Sequence, residues 1–224
     1  MKKAIALLLA LVMVFALCAC GGGGDSASGE KVVKIGVFEP ASGDSGAGGK
    51  KEMLGMQYAN YVQPTVEIGG ETYKVELVYS DNGSDSAKAV SAASKLVNEK
   101  VSLVLGSYGS GVSIAASDTF KQAGIPAIGV TCTNPNVTAG NSHYFRICFL
   151  DPFQGTVLAN YASSELKAKK AYCLGENGNE YDQGLVTFFK QAFEKAGGTV
   201  VTDSFPKDNS DFCLLYTSDA ADEL

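Results

Sequence analysis

The sequence predicts an α/β fold in which parallel sheets are flanked by helices. Two short apolar strands, Leu103–Leu105 and Ala127–Val130, enclose an amphipathic helix, and strands alternate with helices on both sides of this unit. A strand, a helix and a second strand at this spacing form a right-handed parallel crossover. Each of the two strands runs into a loop of small polar residues, and loops at the carboxyl ends of parallel strands are where open α/β sheets bind ligands. We therefore expect a small-molecule site at these loops.

The helix of this central unit has an apolar face and a polar start. Its apolar residues recur at spacings of four, four and three, so that they share one face: Val112, Ala116, Phe120 and Ala123. Gly124 and Pro126 end the helix, because glycine suits a left-handed residue and proline cannot continue a helix. Ser110 and Gly111 begin it, and the free N–H groups and dipole at a helix start favour an anion such as a carboxylate.

The elements before the central unit follow the same alternation. Val32–Phe38 is an apolar run interrupted only by Lys34, as in a buried parallel strand. A Gly- and Ser-rich loop leads from it into a helix from about Gly49 to Tyr61. The dipeptide Gly69-Gly70 indicates a hairpin turn before the alternating strand Tyr73–Tyr79.

A second helix and a last strand complete the first half of the predicted chain. Ser84 or Asp85 can cap the helix, which extends to Glu99. Three of its residues are expected to point inward: Val90, Ala93 and Val97. After the central unit, His143–Phe149 forms the last strand of a lobe that spans residues 31–150.

The chain is expected to cross at Asp151-Pro152 into a second α/β lobe, residues 151–212, which is incomplete. Its predicted elements are helix Phe153–Leu166, strand Lys170–Leu174, loop Gly175–Asp182, helix Gln183–Ala196 and strand Thr199–Thr202. The second of these helices has one apolar face, which consists of Leu185, Phe188, Phe189, Ala192 and Ala196. Lobes of ~100–150 residues are usual domain sizes, so the first lobe is nearly whole and the second is not.

The N-terminal segment has the organisation of an export signal. A basic start, Met1–Lys3, precedes the apolar run Ala4–Leu17, which is shorter than the ~20 residues of a spanning helix. The residues before Cys20 resemble a lipobox, which implies cleavage there and a lipid on its sulfur. Residues 1–20 are thus a lipoprotein signal peptide, and Gly21–Glu30 is a flexible tether. An ordinary cleaved signal without lipid is the alternative.

Composition excludes several classes of function. The formal charge of −6 argues against a nucleic-acid partner, which needs a basic face. Two of the six cysteines lie in the signal region, and the other four have no metal-ligand spacing. Cys148 and Cys173 are expected to be small buried thiols. No metal site, cofactor motif or catalytic set of residues is recognisable, so an enzyme is disfavoured.

Several segments, in this order, resemble one protein family over residues 32–201. They are Ile35–Val37, Ser42-Gly43, Gly49–Gly55, Tyr79–Asp81, Gly106–Asp118, Gly124–Pro126 and Thr131–Pro135. The chain is similar to the extracytoplasmic solute-binding proteins of ABC importers, in the branch that binds branched-chain amino acids. The resemblance implies a two-lobed type I periplasmic-binding-protein fold, with a ligand cleft between the lobes.

The resemblance also implies a binding site for an amino acid. The residues that match the family's ligand contacts are Ser110, Gly111, Thr131, Cys132, Thr133 and Tyr181. In the family, the serine and its helix start hold a carboxylate, the threonine loop meets carboxylate and ammonium, and the aromatic closes from lobe two. The alternatives are a serine that only caps its helix, ordinary turn threonines and an exposed loop tyrosine. Gly48 departs from the pattern, because some relatives carry an aromatic there over the ligand side chain.

These features together predict the substrate-binding component of an ABC transporter. Such a protein captures a small solute and delivers it to a permease that is driven by a cytoplasmic ATPase. A sensor domain of the same fold, without a role in transport, is the alternative. The last residues, 213–224, resemble a translated sequencing adapter, so we expect a non-native tail after Phe212 and a longer gene. A genuine short C-terminus is the alternative there.

Overall fold

The computed structural model describes residues 30–216. The predicted signal peptide, including Cys20, lies outside the described residues, as do most of the predicted tether and residues 217–224 of the predicted tail. The prediction of parallel sheets flanked by helices is confirmed, because every strand pair except one hairpin is parallel. Within residues 30–216, no helix combines the length and apolar composition needed to cross a bilayer.

The larger sheet contains six strands in the order β2-β3-β1-β4-β5-β6. They are β1 Val32–Glu39, β2 Thr65–Ile68, β3 Glu71–Asp81, β4 Leu103–Leu105, β5 Ala127–Gly129 and β6 Tyr144–Arg146. The hairpin between β2 and β3 turns at Gly69-Gly70, where both residues have positive φ. The strand predicted at His143–Phe149 is shorter than expected, because the chain leaves the sheet after Arg146 and exposes Phe149.

Three helices pack on this sheet: α1 Gly46–Val62, α2 Ser86–Asn98 and α3 Ser110–Gln122. Asp85 caps α2 by accepting hydrogen bonds from the N–H groups of Ala87 and Lys88. The buried face of α2 consists of Ala89, Ala92, Ala93 and Leu96. Ala93 was predicted correctly. Val90 is 47% exposed, because the face that packs on the core includes its neighbour Ala89 and not Val90 itself.

The central unit forms as predicted. Val112, Ala116 and Phe120 of α3 are buried, and the Phe120 ring meets the Phe38 ring edge-on at 5.5 Å between centroids. Gly124 has the expected positive φ of 67°. Ala123 was wrongly assigned to the buried face, because it lies past the last helical residue and is exposed.

The second part of the chain is a smaller α/β unit around two parallel strands. Its elements are α4 Asp151–Asn160, a π-helical turn Tyr161–Glu165, β7 Lys170–Glu176, α5 Glu180–Lys195, β8 Thr199–Phe205 and α6 Cys213–Tyr216. Phe193 is fully buried between α5 and the strands, while Ala196, predicted on the inner face, is exposed. The lobe boundaries given above stay a prediction, and so does the non-native origin of residues 213–224.

Candidate ligand-binding cleft

A cavity of about 610 Å³ lies where the loops after β1, β4 and β5 meet the start of α5. Five of the six predicted ligand residues line it: Ser110, Gly111, Thr131, Thr133 and Tyr181. The volume is that of a small-molecule pocket, which spans ~300–1,000 Å³. The fold thus brings together residues that are up to 71 positions apart in the chain, from Ser110 to Tyr181.

Ser110 does not cap its helix. Gly109 occupies the N-cap position of α3, and no side chain makes a cap hydrogen bond there. The Ser110 hydroxyl oxygen accepts a hydrogen bond from the N–H of Asn134 at 3.3 Å. Its hydrogen has no acceptor among the described residues, and the first N–H groups of a helix have no partner within it. Ser110 and Gly111 therefore offer uncommitted donors to the cleft.

Thr131 offers the cleft a hydrogen-bond acceptor, whereas Ser110 and Gly111 offer donors. Its hydroxyl donates to the Glu52 carboxylate, with 2.5 Å between the oxygens, and lies 3.3 Å from the carbonyl oxygen of Tyr108. A threonine hydroxyl has one hydrogen and two lone pairs. Because the hydrogen goes to Glu52, the oxygen can only accept a hydrogen bond from a ligand.

Thr133 is buried at the inner end of the cleft. Its hydroxyl oxygen forms no well-aligned hydrogen bond within residues 30–216, and neither do the two carboxyl oxygens of Asp151 beside it. Burial raises the pKa of Asp151, while the nearby Thr133 hydroxyl and the positive charge of Arg146 oppose that change. Thr133 therefore keeps hydrogen-bonding capacity that a ligand could use.

Cys132 lies outside the cleft lining. Its side chain is fully buried in the core, and burial raises the pKa of its thiol to about 11. Its backbone carbonyl accepts a hydrogen bond from Arg146 at 3.1 Å. Cys148 and Cys173 are half-buried free thiols, and within the described chain no set of three or more His, Cys, Asp or Glu side chains could hold a metal ion.

Tyr181 approaches the cleft from the second unit, at the second residue of α5. Gln154 of α4 donates to its hydroxyl at 2.9 Å. The Asn134 amide, on the loop after β5, donates to the carbonyl oxygen of Glu180 at 2.7 Å. The ammonium of Lys207 is 3.0 Å from a carboxylate oxygen of Asp44. These contacts join residues of the predicted second lobe to loops of the first around the cavity.

Tyr108 fills the space above Gly48. A Cβ atom added to Gly48 would lie 2.5 Å from two carbons of the Tyr108 ring. Tyr108 is 41% exposed and lines the cavity. An aromatic wall therefore exists in the cleft, but it comes from the loop after β4 and not from α1.

Two acidic side chains stand behind this wall. Glu39 at the end of β1 is 1% exposed, and one of its oxygens accepts the N–H of Tyr108 at 2.8 Å. Glu52 of α1 accepts the Thr131 hydroxyl, as described above. Burial, together with the hydrogen bond and charge of Glu52, raises the pKa of Glu39 to about 10. Sequence reasoning missed both residues, although an acid that ends an apolar strand is a signal.

Arg146 ties together the loop that carries the threonines. Its guanidinium donates to three backbone carbonyls and one hydroxyl: Cys132 O, Asn134 O, Pro135 O and Thr138 Oγ1. The distances range from 2.7 to 3.2 Å. Arg146 was also missed, because nothing in the sequence pairs it with a loop eight to fourteen residues earlier.

The charge around the cleft is mostly negative. The acidic residues that line it are Asp44, Asp85, Glu176 and Glu180. Lys207 is the cation of the lining, and it is paired with Asp44. The cleft therefore combines donors for an anionic group at α3 with surroundings that favour a cationic group, a polarity that suits a zwitterion.

Comparison with known proteins gives a consistent result. The profile of the family described as periplasmic binding protein matches residues 32–215. A Leu/Ile/Val-binding protein homologue of Brucella melitensis is 33% identical over 188 residues, which cover 83% of this chain and 50% of that protein.

Solved structures of similar proteins give the same result as the family match. A leucine-binding protein of Thermotoga maritima has a TM-score of 0.79 and 34% identity, covering 83% of this chain and 52% of that one. A branched-chain amino acid transporter substrate-binding protein of Streptococcus pneumoniae, solved in complex with isoleucine, has a TM-score of 0.74 and 33% identity. It is matched over 84% of this chain and 53% of its own. The chain spans about half the length of the curated relatives it matches.

Proposed function

The chain belongs to the periplasmic binding protein family and has its type I fold, and we propose that it is the substrate-binding component of an ABC importer for a branched-chain amino acid. The single observation that carries the proposal is the polarity of the cleft. Ser110 and the start of α3 offer donors for a carboxylate, while Thr131 offers only an acceptor for an ammonium group. The relatives' names, and the isoleucine bound in one of them, supply the side-chain class.

Binding itself accounts for the action of such a protein, without a chemical step. A ligand that meets Ser110 and Thr131 from the first lobe is covered by Tyr181 from the second. The closed form becomes more populated, because only in it does the ligand contact both lobes. The permease and its ATPase then receive the ligand from the closed form.

The location of the protein is part of the same proposal. Its relatives are periplasmic binding proteins, so we place this protein outside the cytoplasmic membrane. A lipid on Cys20 would anchor it there and keep it close to the permease.

Replacing Ser110 with alanine tests the carboxylate site. We expect the full-length protein to bind L-leucine, L-isoleucine or L-valine in calorimetry, and the variant to bind about 10- to 100-fold more weakly. A hydrogen bond to a charged group contributes about 1.5–3 kcal/mol, and ~1.4 kcal/mol is tenfold in affinity. Ser91→Ala on the exposed face of α2 is the matched control, because the Ser91 hydroxyl bonds only its own helix.

The outcomes separate the parts of this proposal. An unchanged affinity in the Ser110 variant would contradict the assigned role of α3. Binding of another small solute but of none of the three amino acids would overturn the branched-chain assignment and leave the binding class. Absence of binding across an amino-acid and aromatic-acid panel would overturn the transport function.

Gly48→Ala tests the aromatic wall. The new methyl group would overlap the Tyr108 ring, so the ring is expected to swing into the cleft and shrink it. Overpacking costs ~1–3 kcal/mol, so we expect the affinity for L-isoleucine to fall by roughly tenfold. Gly55→Ala in the same helix is the control, since nothing lies within 4 Å of its added Cβ. Equal affinities of the two variants would exclude Tyr108 as part of the site.

A further inference from the structure

Glu39, which is buried, and Glu52, which is half-buried, both contact the wall of the cleft from behind. Each has one oxygen engaged by the wall: Glu39 accepts the Tyr108 N–H, and Glu52 accepts the Thr131 hydroxyl. The remaining oxygen of each is buried and has no donor among the described residues. Interaction with Glu52, through a hydrogen bond and its charge, is among the causes that raise the pKa of Glu39, so the two carboxyl groups lie close enough to act on each other.

Two carboxylates cannot hydrogen bond to each other, because both are acceptors only. The contact therefore requires one proton between the two free oxygens. In the described part of the chain, no salt bridge reaches either acid, so a second negative charge there would be uncompensated. When two neighbouring carboxyl groups would both be negatively charged, their repulsion raises the pKa of one of them, which then keeps its proton.

We propose that Glu39 and Glu52 share one proton and act as a single positioning unit, which fixes Tyr108 and Thr131 in the wall of the cleft. The unit joins four segments: the end of β1, helix α1, and the loops after β4 and β5. It holds the Thr131 hydrogen away from the cleft, so the acceptor character of this hydroxyl depends on Glu52. This consequence for ligand choice rests on the proposed function, whereas the shared proton does not.

The electrostatic surroundings favour the neutral form of Glu39. Burial is the largest cause of its raised pKa, followed by the hydrogen bond and charge of Glu52, while the Tyr108 N–H acts in the opposite direction. The other titratable groups that interact with the pair are Tyr144 on β6 and Cys148 just after it. Burial raises the pKa of both, so neither adds a charge near neutral pH.

The first test measures the proton without any ligand. Glu39→Gln keeps the shape and supplies an amide donor in place of the shared proton, whereas Glu39→Ala removes the link. At pH 8 the folded full-length protein is expected to show an infrared carbonyl band of a protonated carboxylic acid, which Glu39→Gln abolishes. Glu99→Gln, which changes an exposed acid paired with Lys34, serves as the control that keeps the band.

The pH profile of stability is the second readout. A folded pKa of about 10 against 4.5 in the unfolded chain means that the folded state holds the proton across that interval. Stability from this group is complete below pH ~4.5 and declines as pH rises towards 10. We expect the unfolding constant of the wild type to rise, relative to that of Glu39→Gln, by up to about tenfold per pH unit.

Ligand binding is the third readout. With L-isoleucine as the probe, Glu39→Gln should bind within about threefold of the wild type, while Glu39→Ala and Glu52→Ala lose roughly tenfold or more. Glu52→Ala should also narrow the preference for L-isoleucine over 3-methylpentanoate, its analogue without the amine. An unchanged preference would contradict the role of Glu52 in setting the Thr131 hydroxyl.

The outcomes distinguish this inference from the proposed function. A missing acid band at pH 8, or identical pH profiles of wild type and Glu39→Gln, would overturn the shared proton whether or not an amino acid binds. A band and profile as expected, without binding of L-isoleucine or its analogue, would uphold the pair and count against the branched-chain ligand. Equal damage from Glu39→Gln and Glu39→Ala would show that the carboxyl shape does not position the wall.

Discussion

Replacing Gly155 with alanine is expected to lower the free energy of unfolding by about 2 kcal/mol. Gly155 lies in α4 where this helix crosses α5. An added Cβ would stand 2.7 Å from the backbone carbon of Phe188 and from the backbone nitrogen of Phe189. Backbone atoms of a helix cannot rotate away as a side chain can, so the two helices must move apart and loosen the packing around Phe193.

The comparison that isolates this effect is Gly55→Ala. Gly55 is also inside a helix, but nothing surrounds its added Cβ within 4 Å. Alanine is favoured over glycine in a helix by about 1 kcal/mol, so the Gly55 variant should be stabilised by up to that amount. Denaturant unfolding of the two variants and the wild type measures both changes in the free energy of unfolding, the expected loss for Gly155→Ala and the expected gain for Gly55→Ala. A Gly155 variant as stable as the Gly55 variant would show that the crossing has room for a methyl group.

The order of the secondary structure could be predicted from the sequence because its signals are local. Apolar runs, a cap at Asp85 and a glycine stop at Gly124 each act within a few residues of themselves. The hairpin at Gly69-Gly70 is local in the same sense. Ends of elements were less well predicted, since α1 begins one turn before Gly49 and β6 ends at Arg146.

The inward face of a helix depends on its neighbours, so it was predicted less well. On α2 the pattern pointed to Val90, yet Leu96 is fully buried and Val90 is not. On α5 the predicted stripe omitted Phe193, although this ring fills the core between the helix and its two strands. Helical spacing defines several overlapping stripes, and only the position of the sheet selects one of them.

Some residues of the cleft could likewise be predicted from the sequence, and others could not. The loops that carry Ser110 and Thr131 could be predicted because they follow strands whose carboxyl ends meet at one edge of a sheet, and the family resemblance then indicated the individual residues. Glu39 and Glu52 were not predicted, because their importance comes from an interaction between the end of a strand and a helix that are distant in sequence. A contact between two acids is improbable from sequence rules, which assign acids to the surface. Such departures are expected at functional sites.

Arg146→Met is expected to lower the free energy of unfolding by about 3 kcal/mol and to weaken ligand binding at least roughly tenfold. Methionine keeps much of the apolar stem but donates no hydrogen bond. Three carbonyls of the partly buried loop after β5 would then lose a charged donor. That loop carries Thr131 and Thr133. When the loop becomes less well held, these two residues are expected to lose their positions in the cleft, and ligand binding weakens.

Arg146→Lys separates charge from geometry in this prediction. Lysine keeps the positive charge, but its ammonium is a point donor that cannot match the planar fork of arginine. We expect it to recover less than half of the lost stability and little of the affinity.

Lys121→Met is the matched control, because Lys121 donates to a single exposed carbonyl, that of Gly140, and its loss should cost under ~0.5 kcal/mol. Full recovery with lysine would mean that charge near Asp151 matters more than the hydrogen bonds to the loop. An Arg146→Met variant with normal stability would mean that the threonine loop is held by its own turn.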